Sequence, residues 1–134
     1  MGKPILCLDF DGVIHSYTSG WKGADVIPDP PVPGALGFIF NALEYFNVQV
    51  FSSRYNQPGG IQAMKNWMYQ YGTEIFAMGP GTDNKPEVPE WLLEVGWPTE
   101  KPPAFLTIDD RVVLFTGRWP DVEELRKFKP WNKK

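Results

Sequence analysis

The chain has one cysteine, one histidine and no large surplus of either charge, and each scarcity closes off a class of protein. Cys7 alone permits no intrachain disulfide and leaves a thiolate zinc cage short of ligands. It lies within an apolar run and reads as a buried thiol. Thirteen basic residues against 16 acidic ones give a formal net charge of −3. That offers no broad field for a nucleic acid backbone, while leaving room for a local basic site. No run of about 18 apolar residues occurs and no charged-then-apolar leader opens the chain, so a cytoplasmic protein with no membrane partner is expected. What is present in quantity is core-forming material. Hydrophobic residues make up 43% and aromatics 15% of 134 residues, which suits a single domain over residues 1–134. Fourteen prolines and 13 glycines imply many turns.

Against that background one stretch stands out: Leu8-Asp9-Phe10-Asp11-Gly12-Val13-Ile14-His15. It follows the apolar run Pro4–Leu8, which reads as a buried strand. Period 2 puts Asp9 and Asp11 on one side. Two like charges that close repel, so an apolar strand has no structural use for them. A divalent cation, or a reaction needing one carboxylate as nucleophile and another as acid/base, accounts for the pair.

Residues 16–33 carry prolines and glycines without periodicity and predict a long stiff loop, with Tyr17, Trp21 and Lys22 placed to touch a ligand or to pack the loop down. Helical spacing follows over Ala35–Phe46, then a strand Val48–Phe51 that stops at Ser52-Ser53-Arg54. A second helix is expected from Gly59 or Gly60, with Ile61, Met64, Trp67, Met68 and Tyr71 inward and Gly72 as its end. A third strand is expected over Glu74–Met78, a loop over Gly79–Val88 and a short helix over Pro89–Val95. Ala104–Ile108 reads as a buried strand running into Asp109-Asp110-Arg111, and Val112–Thr116 as an edge strand. A last helix from Pro120-Asp121 should turn Val122, Leu125 and Phe128 inward, and the polar tail 129–134 should fray. His15 reads as a loop-packing residue. The alternation predicts an α/β fold: one doubly wound, Rossmann-like domain, mostly parallel, with helices on both faces and no separate cap domain.

Such sheets bind ligands beyond the carboxyl ends of their strands. Asp9 with Asp11, Ser52, and Asp109 with Asp110 all follow strands and should converge there. Four carboxylates in one crevice call for a cation, and oxygen-only ligands point to a hard ion such as Mg²⁺. Mg²⁺ held by few carboxylates completes its shell with water and phosphate, so a phosphorylated substrate is expected. Ser52 suits a phosphate oxygen. A lysine would neutralise charge on the transferred group, with Lys101 the first candidate and Lys85 the second.

Asp9-Phe10-Asp11-Gly12, Ser52 after an apolar strand, a lysine, and Asp109-Asp110 after another strand, in that order, resemble the four motifs of the haloacid dehalogenase superfamily of phosphohydrolases. The resemblance spans roughly residues 4–116, and the layout is similar to small members common in bacteriophage genomes. Ser52-Ser53-Arg54 and Ile108-Asp109-Asp110-Arg111 also resemble motifs of polynucleotide 3′-phosphatase domains and deoxyribonucleotidases. The resemblance implies Asp9 as the nucleophile and Asp11 as the general acid/base, with its backbone carbonyl near the metal. It implies Ser52, with Ser53, at the phosphate, and Lys101 screening nucleophile and phosphate; Arg54 and Arg111 read either as gripping the phosphate or as pairing with carboxylates. It implies Mg²⁺ held by Asp9, Asp11 and Asp110, with Asp109 acting through water.

The gaps Asp11–Ser52 and Ser52–Lys101 hold too little chain for a folded cap. An open crevice is therefore expected, shielded only by a flap at 16–33, with a second copy of the chain as a candidate lid. The substrate class implied is a nucleotide, a nucleic acid end or another phosphomonoester. Two other readings share the acidic pocket. One is a binding or regulatory module with little turnover. The other is a receiver-like phospho-acceptor domain, which would need its acceptor Asp on the strand that here ends in Ser52.

Overall fold

The computed structural model describes residues 2–76 and 88–133. Its regular elements are β1 (Ile5–Leu8), α1 (Ala35–Ala42), β2 (Asn47–Val50), α2 (Gly60–Phe76), β3 (Leu106–Ile108) and α3 (Val122–Arg126). Short 3₁₀ turns lie at Ser53–Asn56 and Glu90–Glu94. The strands make a small open parallel sheet in the order β2-β1-β3, a mixed α/β arrangement. Leu8 stands opposite Val50 on one side and Ile108 on the other, so all three strands end at one level. β1 is central, and Leu6, Cys7 and Leu8 are all buried, as a strand covered on both faces requires.

The core joins β1 and β2 to α1 and α2 through Leu6, Leu8, Phe10, Leu36, Ile39, Val48, Val50, Met64, Trp67 and Met68. Regular α1 ends at Ala42, yet helical bonds run on from the Leu43 and Phe46 amides to the carbonyls of Ile39 (3.0 Å) and Ala42 (2.8 Å). α2 begins at Gly60 as expected, with Met64, Trp67 and Met68 buried. It does not end at Gly72. A Cβ at Gly72 would overlap Leu92 Cδ1, so this glycine lets the 3₁₀ turn at Glu90–Glu94 approach the helix rather than terminating it. Glu74–Phe76, expected as strand, continue α2. Ala77 and Met78 of that expected strand, and the expected loop from Gly79 up to residue 87, lie outside the described residues.

The C-terminal third departs most from expectation. β3 reads from sequence as a buried strand, but Leu106 and Ile108 are exposed, since among the described residues no strand pairs beyond it. Among the described residues Val112–Thr116 form no strand. Val122, Leu125 and Phe128 face solvent, since five-residue α3 is too short to lay an apolar stripe onto the sheet. The tail is tied down instead of frayed: Trp131 Nε1 donates to the Gly12 carbonyl at 2.7 Å and Asn132 Nδ2 to the Ser16 carbonyl at 2.9 Å. Among the described residues no helix is long and apolar enough to cross a membrane.

Candidate functional site

The matched ends of the three strands create the site. The Asp9 amide donates to the Ile108 carbonyl (3.0 Å) and the Phe51 amide to the Leu8 carbonyl (3.0 Å), which seats Asp9 between the ends of β2 and β3. Side-chain oxygens of Asp9, Asp109 and Asp110 lie within 4.8 Å of one another, a group that could hold a metal ion. Gly12 makes that approach possible. Its φ of +85° is in the left-handed region, and a Cβ there would overlap Asp110 Oδ2.

The cluster is electrostatically frustrated. Burial, reinforced by the charges of Asp109, Asp110 and Asp11, pushes the Asp9 carboxyl up to about 7. Asp110 is raised by burial and by Asp109. Among the described residues Asp110 Oδ1 is buried with no hydrogen-bond partner. Asp109 Oδ1, by contrast, accepts the Arg111 amide at 2.9 Å. A buried carboxylate oxygen without a donor, beside two other carboxylates, fits a hard cation.

The Asp11 carboxylate lies outside this cluster, where the expectation gave it acid/base work and left only its backbone carbonyl near the metal. The side chain turns to Arg54 and His15. Arg54 Nε donates to Oδ2 and Nη2 to Oδ1, both at 2.9 Å, and His15 Nδ1 lies 2.8 Å from Oδ1. Burial alone would raise the Asp11 carboxyl, but the hydrogen bonds from His15 and Arg54 and the guanidinium charge hold it below the usual carboxylate range.

Arg54 is therefore not an open phosphate ligand. Its side chain is 0% exposed, and Nη1 donates to the carbonyls of Gly23 (2.8 Å) and Ala24 (2.9 Å). It fastens the 16–33 loop to Asp11 instead, so that loop is a packed wall rather than a free flap. Trp21 covers the guanidinium with its ring centroid 4.7 Å from Cζ, while Lys22 is exposed. Ser52 is buried, and its Oγ accepts the Arg54 amide at 3.2 Å. That bond uses a lone pair and leaves the hydroxyl proton to donate to a ligand. Ser53 is exposed at the start of the 3₁₀ turn. Lys101 is exposed and forms no ion pair with the acidic cluster among the described residues. Lys85 lies outside them.

Three participants escaped the sequence reading. His15 belongs to the site rather than to loop packing alone, Asp29 stands behind it, and Trp131 braces Gly12. The Asp-x-x-x-His spacing was a signal for the first. For the other two, contacts across 14 and 119 positions leave no local trace. Comparison with protein-family models, curated proteins and solved structures finds no match to this chain.

Proposed function

We propose that this chain is a Mg²⁺-dependent phosphomonoesterase of the haloacid dehalogenase type, built on a doubly wound domain without a cap. The observation that carries the reading is the acidic cluster at the ends of adjacent parallel strands, with Asp110 Oδ1 buried and unpartnered beside Asp9 and Asp109. Mg²⁺ held by Asp9, Asp110 and Asp109 would supply charge neutralisation, removing the repulsion between a carboxylate nucleophile and a phosphate dianion. An Asp9 oxygen attacks phosphorus, the bond to the leaving oxygen breaks, and an aspartyl-phosphate forms. Water then attacks that phosphorus, releasing phosphate and restoring the Asp9 carboxylate. Ser52 donates its hydroxyl proton to a phosphate oxygen. Asp11, held as the anion, suits the second half, where a carboxylate accepts the proton of the attacking water.

The substrate is a nucleotide, a nucleic acid end or another phosphomonoester, and Lys101 or Lys85 remains the candidate for the screening lysine. Phosphate release is measured with Mg²⁺ on an aryl phosphate and on 3′- and 5′-phosphorylated oligonucleotides. Wild type should exceed Asp9→Asn by at least about 1,000-fold, because the variant removes the nucleophile. Equal release by the two sinks the proposal.

One observation favours a second reading, a phosphate-binding module with little turnover. Protonating a poor leaving group needs a proton on Asp11, and Arg54 and His15 favour its anion. Calorimetry that finds phosphate and Mg²⁺ bound together, with no ester hydrolysed, would select this reading.

A further inference from the structure

His15 is 0% exposed, yet it is not an inert core residue. The Asp29 backbone N–H points at Nε2 at 3.2 Å, a bond that needs a lone pair there, while Asp29 Oδ2, which already accepts the Ser19 amide, stands farther from the same nitrogen at 3.5 Å. The proton of a neutral ring then sits on Nδ1, which faces Asp11 Oδ1 at 2.8 Å. Asp29 is itself pinned. The Ser19 amide donates to its Oδ2 (2.8 Å), the Ser19 hydroxyl to its Oδ1 (2.6 Å), and Trp67 Nε1 to its backbone carbonyl (3.0 Å). The imidazole has little room to turn. Phe10 stacks on it at 5.6 Å between centroids, and Trp67 and Tyr17 meet it edge-on at 5.6 and 5.7 Å.

We propose that His15 is a positioning residue for Asp11: the Asp29 amide selects its Nδ1–H tautomer, and that N–H, with the Arg54 fork, fixes the Asp11 carboxylate apart from the metal-binding cluster. The inference rests on the phosphatase reading for its consequence in turnover, but not for its geometry. Without the third donor, Arg54 still grips both Asp11 oxygens from one side, and the carboxylate can tilt about that fork toward Asp109 and Asp110. Asp11 would then compete for the cation instead of facing the water or leaving oxygen.

Two substitutions separate positioning from packing. In His15→Asn the side-chain amide nitrogen takes the place of Nδ1 and keeps a donor for Asp11. In His15→Gln the terminal amide reaches the Nε2 position and keeps a partner for the Asp29 amide, but Asp11 loses its donor. With an aryl phosphate and Mg²⁺, His15→Asn should stay within about threefold of wild-type kcat, whereas His15→Gln should fall roughly 10- to 100-fold with KM little changed. Equal losses that track the two melting temperatures would overturn the proposal. Nitrogen-15 spectra of the wild-type ring give a readout that needs no turnover. A protonated Nδ1 and a bare Nε2 are expected for the neutral ring, and the opposite tautomer overturns the inference. If no ester is hydrolysed while the ring shows the Nδ1–H form, the phosphatase reading fails and the positioning of Asp11 stands.

Discussion

β1 has two neighbours, and the molecule treats them differently. On one side β2 is backed by a further pairing: the Gly96 amide donates to Val48 and the Val50 amide to Gly96, both at 2.9 Å. Val48 and Val50 are buried beneath α1 and α2 side chains. On the other side β3 is paired, among the described residues, only to β1, and the chain after it exposes Val113, Leu114, Phe115 and Trp119, the last at 87%. The candidate site straddles this divide. Asp9, Asp11, Ser52, His15 and Arg54 stand on the well-packed side, while Asp109 and Asp110 arrive on the lightly packed one. Stability is not uniform where burial is not, so the cluster joins a rigid half to a half held by few buried contacts. A cation bridging Asp9 and Asp110 would bind the two together, and its binding energy would appear as stability of the β3 side.

Several substitutions probe that asymmetry. The largest effect should come from Arg54→Met, which leaves the half-buried Asp11 carboxylate with His15 as its remaining partner and three loop carbonyls without their donor. A loss of about 3–5 kcal/mol in chemical denaturation is expected. Met68→Ala should cost about 2–5 kcal/mol by opening a cavity in the packed half, whereas Leu114→Ala should stay within about 0.5 kcal/mol. Comparable losses at the two positions would erase the distinction between the halves.

Proton linkage gives a third, intermediate effect. Asp9 holds its proton more tightly in the folded chain, at about 7 against an ordinary 3.8, so the native state carries more protons than the unfolded one between those values. Stability should therefore fall as pH rises from about 4 to 7, and the full cost remains above that window. Mg²⁺ should restore several degrees of melting temperature at pH 8, and Asp110→Asn should abolish that response. Asp11 has the opposite sign: its contribution is present above the ordinary carboxylate range and is lost as pH falls through its depressed value. A small effect belongs to Trp131→Phe, which removes one hydrogen bond to Gly12 and should cost about 1 kcal/mol, read as a small shift in melting temperature.

The acidic cluster was legible because it depends on local pattern. An apolar strand followed at once by carboxylates appears twice, and parallel strands bring such ends together whatever the loops do. Ser52 was legible for the same reason. Arg54 was legible only as a choice between phosphate and carboxylate, because a sequence shows an arginine near a site but not which way its fork points. Here five hydrogen bonds aim it inward. α2 was cut short because glycine is both a helix stop and a close-packing residue, and only Leu92 decides between them. The apolar residues after β3 gave a periodic pattern that promised burial, but periodicity names a face without saying whether anything covers it.

The bond from Trp131 to Gly12 joins positions 119 apart in the chain. Contacts of such span are among the last a folding chain can make, since closing so large a ring is entropically costly and must follow the nearer pairings. During synthesis the well-packed half can gather its own core while β3 and the tail are still being made. The acidic pocket then stays unfinished until β3 has been made and brings Asp109 and Asp110 to Asp9, which keeps three mutually repelling carboxylates apart while the well-packed half is still finding its shape.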